Sequence, residues 1–218
     1  MNQYHLWRER YGYWGLLISM TLAFVATPFF PATLQPMNIF VISSLIMSFI
    51  ILSDTKAHLI SSILLMVPVV LSLLSYDQKQ ELKELLFFFA ITGGFLLLLI
   101  VSMTREIFAK KSVDNNTLIS AICIYFALAM FWAMLYGITA IFIPEAFNFD
   151  VETHPQQRIS ELMYFSMVTL TTLGYGDLTP IAPQARSIAA MEAVVGQLYL
   201  TVLVARLVGL HINDNQSR

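Results

Sequence analysis

Residues 166–180 read Ser-Met-Val-Thr-Leu-Thr-Thr-Leu-Gly-Tyr-Gly-Asp-Leu-Thr-Pro, and the second half of this run decides what kind of protein the chain forms. Gly174 and Gly176 flank Tyr175, and alternate glycines admit positive φ values that side chains resist. A strand whose residues alternate in hand can turn every carbonyl to one side. An ordinary pleated strand cannot. Ahead of it, residues 159–170 suit a helix of about 18 Å, too short to cross a hydrocarbon core of about 30 Å. Such a half-crossing helix is tolerated in lipid only where its unpaired backbone is buried in protein or lines water.

The rest of the chain points to lipid as its surroundings. Of 218 residues, 57% are hydrophobic and only 12% charged, whereas a soluble domain carries about 25% charged residues. With a mean hydropathy of +0.70, the apolar excess is too large for one buried core, so the chain is expected to be an integral membrane protein. Disorder, collagen and coiled coil are excluded. A net charge of −2 leaves no electrostatic footprint for nucleic acid. Cys123 is alone, so no disulfide framework exists within one chain. His5, His58, His154 and His211 are scattered without metal-ligand spacing. No clustered acid, nucleophile or metal set points to an enzyme, and no cofactor is expected.

Hydropathy and prolines divide the chain into six crossings, near 13–30, 37–53, 57–75, 85–103, 118–143 and 185–210, with 159–170 as the half-crossing segment. Pro28, Pro31 and Pro36 mark a tight turn between the first two. An even number of crossings puts both termini on one side. Arg8, Arg10, Lys56, Arg105, Lys110, Lys111, Arg206 and Arg218 then lie opposite Lys79, Lys83, Arg158 and Arg186, and eight against four places both termini in the cytoplasm.

Thr172-Leu173-Gly174-Tyr175-Gly176-Asp177 resembles the Thr-Val-Gly-Tyr-Gly-Asp signature of tetrameric potassium channels, with leucine in place of valine. The Thr-Leu-Thr-Thr run before it and Leu-Thr-Pro after it resemble that family's pore loop, and the likeness covers residues 118–211. It implies an outer helix at 118–143, a pore helix at 159–170, a filter at 172–177 and an inner helix at 185–210. Four copies around one axis would stack the carbonyls of Thr172, Leu173, Gly174 and Tyr175, with the Thr172 hydroxyl below them. Such rings replace the hydration shell of K⁺. One pore loop per chain implies a homotetramer, in which K⁺ is the permeant ion.

Several residues are expected to support that loop. In the family an acid after the filter bonds back to an aromatic of the pore helix, so Asp177 is paired with Tyr164, and Thr171 adjoins them. The alternative is a solvated Asp177. Val168 stands where some relatives carry a glutamate. Gly196 matches the place of a glycine in the family's inner helix, either as a hinge or as a close-packing site. Glu192 lies inside the same span, where an acid is expensive and suggests function. It is expected behind the filter, bonded to the pore helix or the fifth span. The rival placement is a cavity-facing ring.

A voltage sensor needs a helix with Arg or Lys at every third position, yet no arginine occurs between Tyr13 and Met103. The expected architecture is therefore an all-α membrane protein with six transmembrane helices, a re-entrant pore helix and a filter loop. Residues 1–104 form a four-helix domain without sensor arginines, 105–117 a cytoplasmic linker, 118–211 the pore domain, and 212–218 a short cytoplasmic tail. The expected function is a voltage-independent potassium channel of the inner or plasma membrane. The alternative is a weakly selective cation channel or a K⁺ transport subunit.

Overall fold

The computed structural model describes residues 12–25, 29, 82–110, 114–149 and 155–216. Five helices follow one another there: α1 (Tyr13–Val25), α2 (Leu82–Ala109), α3 (Asn115–Phe142), α4 (Pro155–Leu170) and α5 (Pro183–Gln216). The described residues hold no strand, only an isolated bridge between Phe147 and Pro180. Among the described residues, three stretches are long and apolar enough to cross a membrane: Leu85–Ala109 of α2, all of α3, and Pro183–Gly209 of α5. The crossings expected at 37–53 and 57–75 lie outside the described residues.

Local chemistry sets the helix ends. Asp114 has extended backbone and caps α3, accepting from the Thr117 N–H at 2.8 Å and from the Thr117 hydroxyl. α3 stops at Ile143, whose N–H reaches Thr139 O at 2.8 Å, because Pro144 has no N–H to continue the ladder. α4 and α5 both begin on a proline, Pro155 and Pro183, whose missing N–H costs nothing in the first turn.

Gly93 pairs with Met134 and Phe89 with Gly137, in opposite order along the chain, so the two 28-residue helices run antiparallel along each other. Their seam is closed by small residues. Gly93 faces Met134, and a Cβ on Gly137 would stand 2.5 Å from the Phe89 ring. α3 is the central helix: α1, α2, α4 and α5 all pack on it. From α1, Leu16 and Met20 are fully buried, Phe24 tilts against Phe126, and the Tyr13 hydroxyl donates to the Glu106 carboxylate at 2.7 Å. Near the other end Tyr136, Phe147 and Phe165 meet edge to face, with ring centroids 5.0–5.5 Å apart.

Two expected boundaries move. Helical bonding carries α2 through Arg105 and Glu106 to Ala109, and α3 starts at Asn115, so the linker is shorter than 105–117. α5 likewise continues to Gln216, making most of the expected 212–218 tail helical. An apolar run measures the thickness of hydrocarbon, whereas the backbone ladder extends beyond it wherever polar side chains find partners. Arg206 of α5 is one such partner: its guanidinium donates to Phe108 O and Lys110 O, both at 3.1 Å, and satisfies carbonyls at the end of α2.

Gly137→Ala tests the α2–α3 seam. Helix propensity favours alanine by about 1 kcal/mol, while overpacking a tight core costs about 1–3 kcal/mol, so the clash with Phe89 is expected to win. The melting temperature in detergent should fall, and Phe89→Leu in the same chain should restore much of it.

Candidate functional site

α4 ends at Leu170, and the backbone beyond it turns over within three residues. A helix leaves its last four carbonyls without helical partners, and here all four are met. Met167 O accepts from Thr171 N at 3.1 Å and from the Thr171 hydroxyl at 2.7 Å. Val168 O accepts from Leu173 N and Thr169 O from Thr172 N, both at 2.9 Å. Leu170 O accepts from the Tyr125 hydroxyl of α3 at 3.0 Å. The two bonds from Thr172 and Leu173 form the crossed pair of a Schellman cap, which needs a left-handed residue at Thr172. Its φ is indeed +59°. For a β-branched residue this is a strained conformation, costing about 1–3 kcal/mol.

That strain starts a pattern. Positive φ recurs at Gly174 (+59°) and Gly176 (+81°), so every second residue from Thr172 is left-handed. The glycines were legible in the sequence as the residues able to do this. Thr172 was not, because its hand is imposed by the cap. Residues 171–177 are all exposed in the single chain, and two large side chains among them, Leu173 (56%) and Tyr175 (67%), stand bare.

Beyond the turn, the chain is pinned from two sides. The Tyr164 hydroxyl of α4 donates to Asp177 Oδ2 at 2.7 Å, and Leu178 N–H donates to Oδ1 at 2.9 Å. These two bonds, the tyrosine's first, hold the Asp177 carboxyl below its ordinary value of 3.8. The loop after α3 adds a second clamp. Asn148 Nδ2 donates to Asp177 O at 3.1 Å, Asn148 N donates to Thr179 O at 3.2 Å, and Asn148 Oδ1 accepts from Thr179 N. Ile181 N donates to Ala146 O at 2.8 Å. Sequence reasoning passed over Asn148, since an asparagine in a polar loop carries no spacing signal.

Behind α4 lies a polar and small-residue seam. A Cβ on Gly196 would sit 2.5 Å from Leu170 O and 2.9 Å from its Cδ1, so α5 touches the end of α4 at this glycine. One turn earlier, Glu192 is fully buried in the single chain. Its Oε1 meets the Ser166 hydroxyl of α4, and its Oε2 accepts from the Tyr136 hydroxyl of α3. Ser166 Oγ also donates to Ala129 O at 2.7 Å. Ser166 and Tyr136 carried no sequence signal for this role, because their partner lies 26 and 56 residues away. Tyr199 completes the seam, donating to Ala121 O at 2.6 Å and stacking on Tyr125.

Residues 116–211 match the family described as "Ion channel". The chain is 32% identical over 125 residues to Protein LctB of Bacillus caldotenax, covering 56% of this chain and 92% of that protein. It is 32% identical over 130 residues to Voltage-gated potassium channel Kch of Escherichia coli (strain K12), covering 60% of this chain and 27% of that protein. Two pore potassium channel c of Oryza sativa subsp. japonica matches at 33% over 61 residues, 28% of this chain and 13% of that protein. The chain thus spans only 13% and 18% of the plant two-pore channels it matches. No solved structure matches it. The chain belongs to the potassium channel family, whose members move ions and are not enzymes.

Two outcomes test the geometry. Removing the hydroxyl with Tyr164→Phe should let the Asp177 carboxyl rise towards its ordinary value. Because the depressed value keeps that carboxylate ionised until the pH falls through it, the Asp177 carboxyl of the variant should take up its proton at a higher pH than in wild type, read by an NMR or infrared pH titration. Gly196→Ala places its Cβ against backbone, which cannot swing aside as the Phe89 ring can. It should therefore disturb the end of α4 more than Gly137→Ala disturbs the α2–α3 seam, read as greater protease sensitivity of the 171–177 segment.

Proposed function

We propose that four copies of this chain surround an axis to form a channel that passes K⁺ down its electrochemical gradient. The observation that carries this is the run of alternating hand at Thr172, Gly174 and Gly176, held at the end of α4 in a chain of the potassium channel family. Alternation lets the carbonyls of Thr172, Leu173, Gly174 and Tyr175 face one axis, with the Thr172 hydroxyl below them. Four copies then supply stacked oxygen rings that substitute for a K⁺ hydration shell. The C-terminal end of α4 brings the negative end of its dipole towards the path, and ionised Asp177 adds negative potential at the mouth. Both favour cations. No bond is made or broken.

The assembly also covers surface that one chain leaves bare. Met191, Val194, Leu198 and Val202 recur along one stripe of α5, all about half exposed, and Leu173 and Tyr175 are exposed as well. Contiguous apolar surface of this kind calls for protein or lipid against it. In the proposed assembly the filter side chains and part of α5 meet neighbouring copies, and the remaining apolar faces meet lipid.

Six crossings with both termini in the cytoplasm complete the proposal, in the inner or plasma membrane. The apolar part of α2, residues 85–103, carries no charge, so this stretch has no charges to move through the field. Conduction is therefore voltage-independent.

Flux into liposomes from purified protein tests this. Wild type should take up K⁺ or Rb⁺ in strong preference to Na⁺, with little dependence on applied potential. Gly174→Ala forces a side chain into left-handed backbone at about 1–3 kcal/mol, which is up to two powers of ten in population. Selective flux should fall accordingly. A monomeric particle in detergent, or equal K⁺ and Na⁺ flux, would overturn the proposal.

A further inference from the structure

Three oxygen–oxygen contacts meet around Glu192: Ser166 Oγ with Ala129 O at 2.7 Å, Ser166 Oγ with Glu192 Oε1, and the Tyr136 hydroxyl with Glu192 Oε2. Each needs a proton between its two oxygens. Ser166 and Tyr136 bring one proton each, and the Ala129 carbonyl brings none. Two protons cannot fill three contacts. Ser166 must give its proton to Ala129 O, since a carbonyl only accepts, and Tyr136 gives its own to Oε2. The third, between Oε1 and Ser166 Oγ, has one possible source.

From this count we infer that Glu192 carries a proton and serves as a neutral hydrogen-bond donor that ties α4 to α3 and α5. The surroundings agree. The groups facing the carboxyl are the Tyr136 and Tyr125 hydroxyl side chains of α3 and Ser166 of α4, none of them a cation. The two described arginines of its own helix are engaged elsewhere: Arg186 donates to Pro180 O, and Arg206 to Phe108 O and Lys110 O. A carboxylate here would be a charge buried within a membrane-capable helix with no counter-ion among the described residues, which is expensive. It would also leave Ser166 Oγ with two acceptors and a single proton.

The placement gives this proton a purpose, which rests on the proposed channel function. Ser166 precedes Leu170 by four residues and Glu192 precedes Gly196 by four, so each pair lies one turn apart on the same face. The Glu192–Ser166 bond and the Gly196–Leu170 contact are successive rungs of one α4–α5 seam. Glu192 thereby fixes the axial position of α4, and through it the strained turn at Thr172. It is a positioning residue, acting through Ser166 rather than touching the permeant ion.

Infrared difference spectroscopy of the whole reconstituted protein at neutral pH, wild type minus Glu192→Gln, reads the proton directly. The expected result is loss of one protonated-carboxyl C=O band. Loss of carboxylate bands instead would overturn the inference. Conservative rescue gives a second readout. A glutamine amide can donate to Ser166 Oγ and accept from Tyr136, so Glu192→Gln should keep the assembly and its K⁺ flux, whereas Glu192→Ala should lose selective flux. Equal loss in both variants would also overturn it. Absence of K⁺ flux from wild type with the C=O band present would sink the channel function while leaving the proton assignment standing.

Discussion

A helix leaves its last four carbonyls without helical partners, and each one buried unpaired costs about 1–3 kcal/mol. The end of α4 meets that constraint in full. Met167, Val168 and Thr169 are answered by the backbone that follows them, and Leu170 is answered by Tyr125 from another helix. The solution has a consequence. The crossed bonds that satisfy Val168 and Thr169 force Thr172 into left-handed backbone, which sets the hand from which Gly174 and Gly176 continue. The filter-like geometry is thus the continuation of a helix cap.

Such a cap holds its shape only if α4 cannot slide. Two kinds of contact prevent this, and they differ in physical nature. At Gly196 the restraint is steric: the α5 backbone comes so close to Leu170 that a methyl group has no room. At Glu192 it is polar, a short chain of hydroxyls and one carboxyl joining α3, α4 and α5. Polar networks in a low-dielectric interior are strong when complete and costly when any member is missing. This combination suits a seam that must fix a position, since apolar packing alone tolerates small shifts between similar arrangements.

On its outer side the 171–182 segment is held by the loop that follows α3, through Asn148 and Ala146, and by Tyr164 from α4 itself. Leu173 and Tyr175, like the stripe of α5, stay exposed among the described residues. α1 and α2, by contrast, bury their inward faces against α3 of the same chain. The Phe89–Gly137 contact closes the α2–α3 pairing, so α1 and α2 lean on α3 as a scaffold.

Local chemistry accounts for what the sequence could determine. The lengths of the apolar runs gave the crossing helices at 85–103, 118–143 and 185–210, because hydrocarbon thickness and the rise of a helix are both fixed. Gly174 and Gly176 disclosed the alternating backbone, because no other residue adopts that hand at so little cost. The sequence also singled out Glu192, Gly196 and Asp177 by their residue types, yet left two placements open for each. Only the tertiary structure brought Tyr136, Ser166 and Ala129 around Glu192, set Gly196 against Leu170, turned Thr172 left-handed and put Asn148 on the far side of Asp177. The hand of Thr172 follows from a local cap that residue type does not announce; the other contacts join positions tens of residues apart, and no spacing along a chain encodes which faces of three packed helices will meet.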